Sequence, residues 1–160
     1  MVSYQQLWGN LRADSAGGQM VHGTGTHDGA VVGDRSVELR VAATVENLAV
    51  LRALVSAVAT FEDLDFDAVS DLRLAVDEAA TRLIRSAAPG SPLLVRVEPR
   101  EDAVVVRAST TCEVDDETIV APGSFSWHVL KSLTDEVSTF NEANSVFGIS
   151  LTARRASLLQ

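Results

Sequence analysis

The sequence predicts an α+β domain, a two-layer sandwich in which an antiparallel or mixed sheet carries helices on one face. Two helical patterns follow each other directly between strand patterns, so strands and helices do not alternate as they do in doubly wound folds. No G-x-G-x-x-G motif or phosphate-loop lysine is present. With 160 residues and 46% hydrophobic content, the chain can bury one core. We therefore expect a single folded domain of residues 37–160.

Residues 1–36 differ in composition from the rest of the chain. They hold seven of the ten glycines and almost no periodic apolar residues. Such a segment cannot bury enough apolar surface to offset its ordering entropy, which predicts a disordered N-terminal extension. His22 and His27 lie in this tract without further ligands nearby, so we expect both to be solvated and no metal to be bound.

The first ordered element is a strand, followed by a helix. The strand is predicted from Val37, where apolar and charged residues alternate. The helix is predicted to have Thr44 as its N-cap and to end near Phe61. Its apolar residues recur at three- and four-residue spacing: Leu48, Leu51, Val55 and Val58.

A second helix follows an acidic turn. Asp65 or Asp67 is predicted as its N-cap, and Pro89-Gly90 ends it. Its apolar stripe consists of Leu72, Val76, Ala79 and Leu83. The two consecutive helices are therefore predicted to lie side by side on the sheet.

The rest of the chain predicts strands around a third helix. Residues 93–97 and 103–106 read as a hairpin, followed by a polar stretch over 109–117. Pro122-Gly123-Ser124 leads into the helix, whose Phe125, Val129 and Leu133 share a face. Strands are then predicted near 137–140 and 146–152.

Charge and cysteine content exclude several classes of function. The net charge is −9, so the basic surface of a nucleic-acid-binding protein is missing. No run of residues approaches the length and apolarity of a membrane span, and the N-terminus lacks a basic segment followed by an apolar run, so we do not expect export. Cys112 is the only cysteine, which excludes an internal disulfide and any multi-cysteine metal site. We expect a cytoplasmic protein in which Cys112 is a small buried side chain.

Three segments resemble the serine kinases that act as anti-sigma factors, the RsbW-type family. They are Val-Glu-Asn-Leu-Ala-Val-Leu-Arg at 45–52, Asp-Leu-Arg-Leu-Ala-Val-Asp-Glu-Ala-Ala-Thr-Arg at 71–82 and Leu-Lys-Ser-Leu-Thr-Asp-Glu-Val at 130–137. The resemblance covers about residues 37–155. It implies the ATP-binding fold shared by histidine kinases and gyrase (the Bergerat type), homodimerisation and binding of a sigma factor. It also implies phosphorylation of an anti-anti-sigma factor on serine.

The resemblance assigns catalytic positions to Glu78 and Arg82. Glu78 matches the general base that activates the attacking hydroxyl. As an alternative, Glu78 and Arg82 form an ordinary surface pair at i and i+4. Arg82 stands where the family has a magnesium-binding asparagine, and a guanidinium cannot ligate magnesium because it has only donors. Arg82 could instead contact phosphate directly. We expect weak or absent magnesium-dependent phosphoryl transfer.

The nucleotide loops also depart from the family. Asp115 and Asp116 are the acids nearest the adenine position, but no glycine lies between Gly90 and Gly123, and a solvated acidic loop is the alternative.

At the lid, Gly123, Ser124 and Ser126 align with three glycines of the family pattern. The amides of a helix starting there can bind an anion, while helix capping by serine is the simpler interpretation. ATP is the ligand that the resemblance implies, with a degenerate site.

Arg52 matches a family arginine that contacts the sigma factor and the anti-anti-sigma factor. The alternative is a solvent-exposed arginine. Trp127 is predicted to pack in the core or at an interface, and His128 has no catalytic partner in the sequence.

Three functions are compatible with the family fold. The first is an anti-sigma factor that sequesters a stress- or sporulation-type sigma factor by occluding its polymerase-binding face. The second is an active serine kinase, and the third is the ATPase module of a sensor histidine kinase. The third lacks a preceding phosphoacceptor helix, and the altered site residues favour the first over the second.

Overall fold

The computed structural model describes residues 35–113 and 119–156, and within these ranges the chain forms five strands and three α-helices. In chain order they are β1 (Val37–Ala42), α1 (Leu48–Phe61), α2 (Phe66–Ser86), β2 (Pro92–Pro99), β3 (Ala103–Thr111), α3 (Phe125–Leu133), β4 (Glu136–Glu142) and β5 (Val146–Arg154). This is the α+β order that the sequence predicts. The predicted division at residue 36 stays a prediction, because residues 1–34 lie outside the described part of the chain.

The described strands form one sheet in the order β1-β2-β3-β5-β4, and every neighbouring pair is antiparallel. β3 and β5 lie inside the sheet and pair over their full lengths, from Ala103 opposite Arg154 to Thr111 opposite Val146. Of the two predicted alternatives, the sheet is thus antiparallel and not mixed.

The core lies between one face of the sheet and the helices. Alternate strand residues such as Val95, Val106 and Ile149 are fully buried against the helical layer. α1 contributes Leu48, Leu51, Val55 and Ala59; α2 contributes Leu72, Ala75, Val76, Ala79, Ala80 and Leu83. The apolar stripes predicted from three- and four-residue spacing are therefore the core-facing sides of both helices.

Local capping sets the starts of two helices. Asp65 accepts a hydrogen bond from the Ala68 amide at 2.8 Å and is the N-cap of α2. Ser124 caps α3 in the same way. Thr44, predicted as the cap of α1, makes no capping hydrogen bond with its side chain. It precedes a 3₁₀ turn, Val45–Asn47, and α1 starts only after this turn.

β3 is longer than predicted. The polar residues at its end, which suggested a loop, continue the strand to Thr111. Backbone pairing to β5 as far as Thr111, and to β2 as far as Ser109, stabilises this extension. The Thr110 hydroxyl is buried but donates to the Pro92 carbonyl at 2.8 Å, so burial leaves it hydrogen-bonded.

Among the described residues, no helix has the length and apolarity needed to cross a membrane.

Candidate functional site

The candidate site is built around Glu78 in the middle of α2. Its Oε1 accepts a hydrogen bond from Arg82 Nε at 2.9 Å, one turn further along the helix. The same oxygen accepts a second hydrogen bond from Ser126 Oγ at 2.7 Å. Three of the residues that the resemblance assigns to the site thus meet at one carboxylate oxygen.

Ser126 belongs to the first turn of α3 and is only 4% exposed. Its contact with Glu78 joins two positions that are 48 residues apart in sequence. The sequence places both residues in the site but contains no signal for a direct bond between them, because that bond depends on how α3 packs against α2.

Opposing effects act on the pKa of Glu78. Burial raises it, but the hydrogen bonds from Ser126 and Arg82 and the positive charges of Arg82 and Arg85 together lower it below the ordinary value of 4.5. A carboxylate with a lowered pKa is a weaker base. Glu78 is therefore held as an anion with one oxygen already engaged.

Gly123 and Ser124 shape the start of α3. Gly123 has a φ of 87°, a conformation that favours glycine. Ser124 Oγ accepts a hydrogen bond from the Trp127 amide at 3.2 Å. Ser124 is thus the N-cap of α3, because its side-chain oxygen accepts a hydrogen bond from an amide in the first turn of the helix.

The remaining predicted positions lie apart from this cluster or outside the described residues. Asp115 and Asp116 fall in 114–118, which the structure does not describe. Cys112 is buried in the core, as predicted. Trp127 packs against the core, and His128 is exposed.

The residues of the cluster do not fit a magnesium ion. The resemblance places Arg82 at the metal-binding position, and its guanidinium offers no acceptor. Its Nε is also engaged by Glu78. Magnesium binds oxygen ligands, and the two hydrogen bonds to Oε1 leave Oε2 as the one carboxylate oxygen of this cluster without a donor among the described residues.

Arg52 lies on another side of the helical layer. Its Nε donates to Asp77 Oδ1 at 2.7 Å, which links α1 to α2. Arg52 and Asp77, with Arg73 and Leu74, line a surface groove of about 450 Å³. The ion pair was not predicted, because the two residues lie 25 positions apart on different helices. Asp77 and Glu78 are adjacent, so α2 presents the two candidate sites about 100° apart around its axis.

The antiparallel sheet with two consecutive helices on one face is the α+β arrangement expected of a histidine kinase-like ATPase domain. Residues 41–147 match the family described as Histidine kinase-like ATPase domain, and the chain belongs to this family.

At the level of individual proteins, the chain is similar to the anti-sigma-F factor RsbW of Mycobacterium tuberculosis, in strains CDC 1551 / Oshkosh and ATCC 25618 / H37Rv. In each case the identity is 63% over 131 residues, which covers 78% of this chain and 77% of the relative.

Proposed function

We propose that this protein is an anti-sigma factor that binds an alternative sigma factor and keeps it from RNA polymerase. The observation that carries the proposal is the 63% identity to anti-sigma-F factors over most of both chains. The net charge of −9 also suits a basic, polymerase-associated partner. Arg52 is the residue we assign to partner contact, because it is an exposed arginine beside a groove, and arginine is a frequent anchor at interfaces.

Co-purification tests this proposal. The full chain is expressed with each candidate sigma factor of its own genome, with and without ATP. We expect one sigma factor to be retained and Arg52→Ala to weaken its binding. Arg85→Ala removes an exposed arginine from the far end of α2 and serves as the control. If no sigma factor is retained, the proposal is wrong.

We propose that phosphoryl transfer is weak or absent, with ATP as a ligand of a degenerate site. The support is the state of Glu78, whose Oε1 is engaged by both Arg82 and Ser126. The alternative function is an active serine kinase acting on an anti-anti-sigma factor, which membership of the ATPase family favours. In that case the substrate hydroxyl would have to bind the other oxygen of Glu78, Oε2, or displace one of the two donors from Oε1.

Arg82→Asn separates the two alternatives. It restores an amide oxygen at the metal position and removes one donor from Glu78. We expect magnesium to leave ATP affinity unchanged in the wild type and to tighten it about tenfold in R82N, as is typical for one partner at a metal site. Arg73→Asn makes the same charge change on the same helix, away from the Glu78 cluster, and is the control. Tight, magnesium-dependent ATP binding by the wild type would refute the degenerate site.

We further propose that the protein acts in the cytoplasm as a homodimer and that an anti-anti-sigma factor releases its sigma factor. The single cysteine suits a reducing compartment. Sedimentation velocity over a concentration series tests the homodimer. A monomer at every concentration would contradict it.

A further inference from the structure

The outer side of α1 is unusually apolar for a helix on the surface. Arg52 is the only charged residue among its 14 residues. Val50 on this helix is 47% exposed, and Leu74 on the neighbouring α2 is 54% exposed. A helix that is apolar nearly all round is normally buried. About half of the surface of each of these two side chains is left uncovered by the described residues.

The groove beside this apolar surface, the one that Arg52 and Asp77 line, carries more positive than negative charge. Two guanidiniums, those of Arg52 and Arg73, face one carboxylate, that of Asp77. The groove is therefore locally basic on a chain whose net charge is −9. Arg73 makes no ion pair or hydrogen bond through its side chain with any residue of the described ranges. An acidic side chain is the ligand that such a groove attracts.

The Arg52–Asp77 contact determines which nitrogens of the Arg52 guanidinium are available to a binding partner. Asp77 uses only the Nε–H. The two terminal amino groups of Arg52 make no hydrogen bond within the described part of the chain, and together they can hold both oxygens of a carboxylate. Asp77 thus fixes the guanidinium and leaves its outer edge for a second partner.

We propose that Asp77 is a positioning residue for Arg52, and that the groove takes one carboxylate side chain of the sigma factor with an apolar neighbour on Leu74. This inference rests on the proposed anti-sigma function. Holding a long side chain before binding lowers the ordering cost of association. Asp77 adds little repulsion towards the incoming carboxylate, because Arg52 already neutralises its charge at 2.7 Å.

The test uses the full chain and the sigma factor that it retains. We expect Asp77→Ala to raise the dissociation constant about threefold to tenfold. Asp77→Glu, which keeps a carboxylate within reach of Nε, should restore most of the affinity. In the Arg52→Ala background, Asp77→Ala should have no further effect, because Asp77 acts through Arg52. Asp67→Ala, an exposed aspartate on the same helix outside the groove, is the control for charge.

Two results would overturn the inference while leaving the anti-sigma function standing. The first is unchanged or tighter sigma binding by D77A, which would mean that Asp77 is neutral or competes with the partner. The second is an equal loss of affinity in the presence and absence of Arg52. Thermal unfolding of each variant shows whether a loss reflects misfolding, and D77E then decides the question. A wild-type chain that retains no sigma factor would overturn both proposals.

Discussion

Glu78 illustrates how single side chains restrict chemistry at this site. In a general base, the carboxylate must be able to accept a proton from its substrate. Here Oε1 accepts from Ser126 and Arg82, so both hydrogen bonds stabilise the ionised form. The bond from Ser126, which joins α3 to α2, and the bond from Arg82 within α2 therefore reduce the basicity of the residue that the resemblance assigns as general base.

Removal of the Ser126 hydroxyl should raise the pKa of Glu78. With one donor gone, less hydrogen bonding to the anion remains to offset the effect of burial. In Ser126→Ala the pKa of Glu78 therefore moves up from its lowered wild-type value. The chemical shift of the Glu78 carboxyl carbon, followed against pH, measures the change. Ser132→Ala, on the same helix with its hydroxyl bonded to Val129, should leave the titration unchanged. An unchanged pKa in S126A would contradict the assigned cause.

The same pair predicts a pH-dependent stability. The pKa of Glu78 is lower in the folded state than the ordinary 4.5, so its stabilisation is present above pH 4.5 and is lost as the pH falls through the folded pKa. At neutral pH, S126A should cost about 1.5 kcal/mol, the value for a hydrogen bond to a charged group. Urea unfolding should show this cost shrinking below pH 4.5. A cost that stays constant there would mean that the charge of Glu78 plays no part.

At the scale of elements, the packing of a β4 side chain across β5 requires a glycine in β5. Gly148 lies opposite Phe140, on the face of the sheet turned away from the helices. A Cβ built on Gly148 would come within 2.1 Å of the Phe140 ring. The ring also receives the Arg107 guanidinium at 4.3 Å from its centroid. The missing side chain at 148 is therefore what allows the aromatic ring to lie across β5.

Gly148→Ala should destabilise the domain by about 1 to 3 kcal/mol, because the ring must leave its place or the strands must shift. In the Phe140→Ala background the same substitution should cost little, since nothing then occupies that space. Urea unfolding of the four proteins of this cycle gives the coupling. Ser150→Ala, two residues along the same face, is the control. Equal costs in both backgrounds would show that the ring is not the obstacle.

At the scale of the whole molecule, Glu62 joins parts of the chain that are far apart in sequence. Its carboxylate lies at the end of α1 and is only 3% exposed. It binds Arg155, just after β5, at 2.8 Å and Arg35, just before β1, at 2.9 Å. Arg155 also donates to the Arg100 carbonyl at 2.7 Å, in the turn between β2 and β3. One buried acid thus connects the residues just before the first strand and just after the last strand of the chain to the end of α1.

Arg155→Ala should cost about 3 kcal/mol of unfolding free energy, the lower end for breaking a buried ion pair, because Arg35 remains. Arg154→Ala removes the neighbouring arginine, whose ion pair with Glu136 is exposed, and should cost much less than Arg155→Ala. Urea unfolding of both variants measures the difference. Equal costs would mean that the Glu62 cluster stabilises the fold no more than a surface pair does.

The sequence alone was sufficient for the order of the elements, the apolar stripes of α1 and α2 and an aspartate cap of α2 at either Asp65 or Asp67. Each of these depends on residues within a few positions of one another, through helical or strand periodicity and local hydrogen bonds. The resemblance located Glu78, Arg82 and Ser126 in one site for a related reason, since it relies on short motifs.

Only the tertiary structure decided which of these side chains touch. The Glu78–Ser126, Arg52–Asp77 and Glu62–Arg155 contacts span 48, 25 and 93 residues. Each depends on the rotation of a helix about its axis and on the packing of separate elements, which residue patterns within one element do not specify. The extension of β3 to Thr111 has the same origin, because pairing with β5 over the whole strand, and with β2 as far as Ser109, outweighs the polar character of those residues.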